Sequence, residues 1–311
     1  MTQDIHRITI IGTGVIGASW AALFLAKGLD VVATDIAPDA KTKLDAFIEA
    51  AWPALEKSGL APGASPARLG FTDNLDAAVA DADLIQENGP ERIEFKQGLY
   101  KHLDAVLPPN TIIASSSSGL TMSEIQSACE NHPERCVIGH PFNPPHLIPL
   151  VEIVGGALTS DETIERVSSF YRQLGKRTIR LHKEVPGHVA NRLQAALFRE
   201  VVHLIAEGVV TVADADAAVC WGPGLRWGIM GPSMLYHLGG GQGGIEHFFE
   251  QFTGPLNAWF RVLGTPELNP QICATIIKGV HEEAQSRPVS DLSAHRDAVL
   301  QGLLALRRDE A

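Results

Sequence analysis

A histidine and a glutamate twelve residues apart form the strongest candidate for proton chemistry in this chain. His140 stands in the run Gly139-His140-Pro141-Phe142-Asn143-Pro144-Pro145, and Glu152 lies within Pro149-Leu150-Val151-Glu152-Ile153-Val154. A glutamate among apolar strand residues is costly to bury unless a partner meets its charge, and the natural partner here is His140. An unperturbed imidazole titrates near pH ~6.5, so it can take and return protons near neutrality. A lone histidine is more often structural; the carboxylate is what raises His140 above that reading. A second constellation opens the chain. Gly12-Thr13-Gly14-Val15-Ile16-Gly17 is a GxGxxG turn, and Asp35 follows 18 residues after Gly17. Alone the glycines are weak evidence, but they follow an apolar β-branched run and open a helical one, which is the setting of a dinucleotide site. Gly12 permits the tight turn, Gly14 a close approach of backbone to pyrophosphate, and Gly17 close helix–strand packing. The helix N-terminus adds free N–H groups and a positive dipole end. Gly12, Gly14, Val15, Ile16 and Gly17 are therefore the expected cofactor-binding turn. A carboxylate at Asp35 can accept from both ribose hydroxyls and repels a 2′-phosphate. No arginine follows it in Ile36-Ala37-Pro38-Asp39, so the expected cofactor is NAD rather than NADP.

These residues need a scaffold of alternating strands and helices, and the first part of the chain supplies it. Strands are expected at Ile8–Ile11, Val31–Thr34, Asp83–Gln86, Thr111–Ala114, Cys136–Gly139 and Leu150–Val154. Helices are expected at Ala18–Lys27, Lys41–Lys57, Phe95–Val106 and Asp161–Leu174. That alternation predicts a parallel sheet covered on both faces, with His140 at a strand's C-terminal end beside the ligand crevice. After about Lys183 the texture becomes helical, starting with Val189–Glu207. Pro186 and Gly187 punctuate the change. The expected fold class is α/β: a Rossmann-type domain over residues 1–185, then an all-α domain over residues 186–311.

Composition limits the partners. Lys and Arg total 25 against 36 Asp and Glu, a net charge of −11. That disfavours nucleic acid and anionic membranes, yet a few local cations can still hold a small anion. Four cysteines (Cys129, Cys136, Cys220, Cys273) show no CxxC spacing and read as reduced thiols. Twelve histidines include no HExxH, so no metal is expected. The apolar stretch Ile8–Ala26 carries three spaced glycines and ends at Lys27, which fits strand–turn–helix better than a signal peptide. With no other run near the ~20 apolar residues of a membrane helix, the expected location is cytoplasmic.

Ser115 to Ser118 form a serine run after a strand, ended by Gly119, which taken alone also suits a helix cap and linker. With the glycine turn, the H-x-x-N-P run and Glu152, it resembles the L-3-hydroxyacyl-CoA dehydrogenase superfamily over nearly the whole chain. The likeness is to the lambda-crystallin, L-gulonate 3-dehydrogenase and L-carnitine dehydrogenase branch. The resemblance implies His140 as acid/base, Glu152 as its orienting carboxylate, Ser118 and Asn191 (in Asn191-Arg192-Leu193) as substrate-oxygen donors, and Glu91 and Lys96 as residues lining the cofactor site. Asn143 is counted with the cofactor contacts. A neighbouring serine in place of Ser118 would require only a one-residue slip. The resemblance also implies a homodimer through the helical domain.

Arg226 and Trp227 lie in Gly222-Pro223-Gly224-Leu225-Arg226-Trp227-Gly228. An arginine fork matches a carboxylate bidentately, so Arg226 is the expected anchor of a free substrate carboxylate. The resemblance reserves that arginine for the gulonate and carnitine branch, and Leu238–Gly244 with His247 and Phe248 is similar to the carnitine enzymes. Phe142, Trp227, Tyr236, Phe248 and Trp259 offer aromatics for a quaternary ammonium, or simply helix packing. The expected function is therefore NAD-dependent oxidation of a short charged L-3-hydroxy acid. Two rival readings stand beside it: an L-3-hydroxyacyl-CoA dehydrogenase, or a non-catalytic NAD-binding sensor or crystallin-like protein.

Overall fold

A computed structural model describes residues 5–307. Contacts divide the chain into two compact units, Met1–Asn191 and Arg192–Ala311. The first unit is built on eight strands: β1 (Arg7–Ile11), β2 (Asp30–Thr34), β3 (Leu69–Thr72), β4 (Leu84–Glu87), β5 (Ile112–Ser115), β6 (Cys136–Pro141), β7 (Leu150–Gly155) and β8 (Arg177–Leu181). Their order across the sheet is β3-β2-β1-β4-β5-β6-β7-β8. Six helices connect them: α1 (Val15–Ala26), α2 (Ala40–Ser58), α3 (Leu75–Val79), α4 (Ile93–Val106), α5 (Met122–Gln126) and α6 (Asp161–Gln173).

Alternation along the strands sorts side chains into two cores. Ile8, Ile10, Leu84, Ile112, Val137, Val151 and Ile153 meet Trp20 and Phe24 of α1, Leu44 and Ile48 of α2, and Phe170 and Tyr171 of α6. Ile11, Ile85, Ile113 and Ile138 meet α3, Tyr100 and Leu103 of α4, and Met122 and Ile125 of α5. Strands buried on both faces are predominantly apolar, and these are, with Thr9, Gln86, Glu87, Ser115, His140 and Glu152 among the buried polar exceptions. The expected three-layer α/β unit is therefore present, with one correction. Strands β1 to β6 are parallel, but β7 runs antiparallel to β6, and β8 is parallel to β7. The cause is the short, helix-free link between Pro141 and Leu150, because a parallel return needs a crossover of a dozen residues or more. The reversal sets His140 directly opposite Glu152 in the register. The β1–β4 neighbourhood is where the strand order reverses, so a crevice opens beyond the C-terminal ends of these two strands.

The second unit is helical: most of α7 (Ala190–Ala206), then α8 (Val212–Trp221), α9 (Pro223–Trp227), α10 (Pro232–Gly239), α11 (Gly244–Phe260), α12 (Pro270–Ala284) and α13 (Val289–Leu306). Its buried apolar cluster is small, built on Ile205, Val212 and Ala215. Neither α12 nor α13 contains a buried residue. Trp221, Trp259, Phe260, Val262, Val289 and Leu306 are each more than half exposed. Among the described residues, no helix is long and apolar enough to cross a membrane.

Candidate active site

The glycine turn joins β1 to α1. Gly12 has φ +83°, the left-handed region where glycine is at ease. A Cβ on Gly12 would stand 2.8 Å from the Asn88 carbonyl oxygen, and one on Gly17 would stand 1.9 Å from the Gly12 carbonyl oxygen. Gly14 differs, since a Cβ there meets no atom within 4 Å. Gly14 is the N-cap of α1, and no side chain caps the helix. The first amides of α1 are thus left for a ligand, in the open space that a pyrophosphate requires. Val15, the first residue of α1, is exposed, and Ile16 beside it is half-buried. The cradle fits a dinucleotide.

Asp35 follows β2. Its Oδ2 accepts from the Thr13 amide (2.7 Å) and the Thr13 hydroxyl (2.9 Å), and its Oδ1 from the Ala37 amide (3.0 Å). Burial works against the charge, but the Thr13 and Ala37 donors outweigh it and hold the carboxyl below its usual range. Oδ1, with one donor, keeps acceptor capacity for a ribose hydroxyl.

Beyond the crevice, the antiparallel β6–β7 pair brings His140 Nδ1 to 2.8 Å from Glu152 Oε2. Glu152 is fully buried. Its other oxygen accepts from the amides of Val189 (2.9 Å) and Ala190 (3.0 Å), at the start of α7. Burial opposes the Glu152 charge, yet the His140 bond and the two amides prevail and hold its carboxyl below the usual range. A carboxylate only accepts, so the His140 proton sits on Nδ1 and the Nε2 lone pair is free to act as a base. The ring of a second histidine, His188, lies 5.0 Å from that of His140, centroid to centroid.

The serine run turns around one carboxylate. Glu91 Oε1 accepts from the Ser117 hydroxyl (2.6 Å) and from the amides of Ser118 (3.1 Å), Gly119 (2.8 Å) and Leu120 (3.1 Å). Burial opposes its charge, but the Ser117 hydroxyl and the amides hold its carboxyl below the usual range. Three of the four serine hydroxyls are committed: Ser115 to Glu87, Ser116 to Asn88 and Ser117 to Glu91. The exposed Ser118 hydroxyl has no partner among the described residues, and the same holds for the side-chain amide of Asn191 at the start of α7. Lys96 is buried beneath this surface. Its Nζ lies 2.8 Å from both oxygens of the fully buried Glu87 and 3.8 Å from Glu91. Among the other expected positions, Phe142 is half-buried and Asn143 exposed on the link after β6.

In the second unit, Arg226 sits in the last turn of α9. It is exposed, and its guanidinium has no hydrogen bond or ion pair among the described residues. Trp227 beside it is exposed as well. Tyr236 of α10 stacks on Phe248 of α11 at 4.5 Å, which packs the two helices together, and Phe248 stacks on Phe252 of the same helix at 4.9 Å. Those rings are therefore engaged with one another, while Trp259 is exposed. Sequence reasoning passes over Glu87 and His188, and leaves open which serine of the run faces the substrate. Glu87 carried a legible signal, being a carboxylate that closes an apolar strand. His188 carried only its place just ahead of Asn191.

Comparison with known proteins agrees with this architecture. Residues 7–185 match the family described as 3-hydroxyacyl-CoA dehydrogenase, NAD binding domain, and residues 187–265 match 3-hydroxyacyl-CoA dehydrogenase, C-terminal domain. The chain is 48% identical over 295 residues to an L-carnitine dehydrogenase of Streptomyces griseus, covering 95% of this chain and 88% of that one. It is 46% identical over 301 residues to the L-carnitine dehydrogenase of Pseudomonas putida, covering 97% and 94%. Among solved structures it is similar to 5-formyl-3-hydroxy-2-methylpyridine-4-carboxylic acid 5-dehydrogenase, described as an NAD⁺-dependent dismutase. The TM-score is 0.83 at 31% identity, with 98% of each chain covered. It is also similar to a 3-hydroxybutyryl-CoA dehydrogenase of Escherichia coli, with a TM-score of 0.64 at 29% identity, covering 83% of this chain and 53% of that one.

Proposed function

Because the chain belongs to the 3-hydroxyacyl-CoA dehydrogenase family and is an NAD-dependent dehydrogenase of a secondary alcohol, we propose that its substrate is a short charged L-3-hydroxy acid, and specifically L-carnitine. The likeness to L-carnitine dehydrogenases over nearly the whole chain carries this reading. The unpaired guanidinium of Arg226 gives it a chemical reason, since a free carboxylate is a bidentate partner that a thioester does not offer.

The chain's own residues divide the work. The Ser118 hydroxyl and the Asn191 amide hold the substrate oxygen. His140 Nε2 takes the hydroxyl proton as the C–H bond breaks. Glu152 keeps the imidazole in the Nδ1–H tautomer and offsets the charge of the imidazolium that forms. NAD, when bound, accepts the hydride. In the reverse direction His140 returns the proton to the 3-oxo group. Gly14 and the first amides of α1 hold the pyrophosphate, Asp35 takes the adenosine ribose, and Glu91 with the buried Lys96 shapes the floor of the cofactor site.

The deciding experiment is a turnover screen of the purified protein with NAD⁺ and with NADP⁺. The substrates are L-carnitine, L-gulonate, 3-hydroxybutyrate and 3-hydroxybutyryl-CoA. L-Carnitine with NAD⁺ should give the highest kcat/KM. A preference for the CoA thioester would overturn the substrate, and NAD⁺ binding without turnover of any member would favour a sensor.

Residues 186–311 serve, in this reading, as the substrate and dimerisation domain. Trp259, Phe260, Val262, Val289 and Leu306, in and between α11 and α13, are large apolar side chains that stand exposed, the kind of surface that marks an association site, and a second copy of the chain covers them. Sedimentation velocity should give twice the chain mass. The expected location is cytoplasmic, consistent with four free thiols.

A further inference from the structure

His188 is 2% exposed and has φ +50°, a left-handed backbone that residues other than glycine seldom adopt. It follows Gly187, at φ +76°. Such a conformation persists where the surroundings over-determine it, and these clamps cluster at functional sites. Three contacts supply the clamp. His188 Nε2 lies 3.0 Å from the Ser117 carbonyl oxygen. Its ring packs against that of His140 at an interplanar angle of 52°. The next two amides, of Val189 and Ala190, are the pair that hold Glu152. A carbonyl only accepts, so the His188 proton is on Nε2. Nδ1 is then a buried acceptor, and it has no partner among the described residues.

We propose that His188 is a positioning residue for the acid–base pair, a neutral Nε2–H strut that ties the serine turn and the start of α7 to His140 and Glu152. The inference rests on the dehydrogenase reading above. A neutral imidazole suits this place. Burial pushes its pKa down, and His140 on β6 pushes the same way, against the Ser117 carbonyl and the carboxylates Glu152 on β7 and Glu91 after β4. Protonation would turn the orphan acceptor into an orphan donor and set a cation beside the base.

Two variants separate the strut from simple packing. His188→Phe keeps a ring against His140 and removes the Nε2 donor. His188→Gln restores a donor near the Nε2 position. With L-carnitine and NAD⁺, His188→Phe should lower kcat by ~10- to 100-fold, the usual cost of slight misplacement of reacting groups, with KM for NAD⁺ unchanged. Its acid limb in kcat/KM should move upward, because a Glu152 less well held by amides binds a proton shared with His140 more strongly. His188→Gln should recover most of kcat and the original pH profile. A His188→Phe enzyme with wild-type kcat and pH profile overturns the proposal. Equal loss in both variants with an unmoved pH profile overturns it too, as packing alone predicts. Nitrogen-15 histidine NMR of the resting wild-type protein reads the strut without any variant. His188 should remain neutral and Nε2-protonated across neutral pH, and an Nδ1–H tautomer refutes it. If the wild type oxidises none of the screened substrates, the functional reading fails, while the tautomer still decides the strut.

Discussion

Replacing Glu152 by glutamine keeps the shape of the side chain and removes only its charge. The size of the defect can be worked from the three donors around it. One Glu152 oxygen faces two amides, at 2.9 and 3.0 Å, and the other faces His140 Nδ1 at 2.8 Å. Glutamine has one carbonyl and one NH₂ group to offer. With the carbonyl toward the amides it keeps two hydrogen bonds; turned around, it sets NH₂ against two N–H donors. At ~1 kcal/mol for each bond kept and ~1–3 kcal/mol for a buried group left unmet, the first orientation wins by about 2–4 kcal/mol even with only one of the two amides counted as unmet. That orientation presents NH₂ to His140 Nδ1, so the imidazole proton moves to Nε2 and the base is lost. The active tautomer is then depleted by roughly 30- to 700-fold. Losing the carboxylate's hold on the imidazolium adds about another tenfold. Glu152→Gln should therefore lower kcat by about 10³-fold, in line with the cost of the analogous tautomer error in serine protease triads. NADH formation under saturating L-carnitine measures it, and quenching of protein fluorescence by NAD⁺ checks that the cofactor site survives. A variant that keeps more than a tenth of wild-type kcat, or loses NAD⁺ affinity along with activity, refutes the argument.

The glycine turn makes a paired prediction. Gly14→Ala should fold with a Tm close to wild type and lose NAD⁺ affinity by ~10-fold or more, while Gly17→Ala should lose stability outright because its Cβ would overlap a carbonyl; calorimetry with NAD⁺ titration reads both. Arg226→Ala should raise KM for L-carnitine by ~10- to 100-fold with a smaller effect on kcat, and an unchanged KM removes the carboxylate role. The carboxyls of Asp35, Glu91 and Glu152 lie lower in the folded than in the unfolded chain, so their stabilisation is complete above the usual values of 3.8 and 4.5 and drains away as pH falls through the folded ones. Tm measured from pH 6 downward should therefore decline most steeply below about pH 4.5. Burial, aided by Lys27, pushes the Lys176 pKa down to about 7 from 10.5, so the unfolded chain binds the extra proton between those values. The wild type should gain stability relative to Lys176→Met as pH rises from about 7 to 10, by differential scanning calorimetry.

Much of this site is legible in the sequence because short apolar strands dictate where their neighbours emerge. The glycine turn after Ile11, the carboxylate after β2 and the His140–Glu152 pairing all follow from residue types at strand ends. The strands β3 and β8 are not legible in the same way. Leu69-Gly70-Phe71-Thr72 is short and broken by glycine, and Arg177-Thr178-Ile179-Arg180-Leu181 is a largely polar edge. Neither has the apolar continuity of a central strand. The reversal of β7 depends on the length of a link rather than on composition. His188 was hidden for a different reason: its contacts come from Ser117, His140 and Glu152, all distant in sequence, and no local pattern announces them.

Asp35 holds a dual post that bears on how such an enzyme can change its cofactor. The carboxylate that would meet the ribose is also the anchor of the Thr13 amide and hydroxyl inside the glycine turn. Exchanging it for a small or basic residue to admit a 2′-phosphate would release the turn at the same stroke. A path from NAD to NADP in this scaffold therefore requires a second, compensating change near Thr13, made together with the first or before it. Coenzyme preference is thus protected by architecture as well as by charge, and a single-step switch is closed.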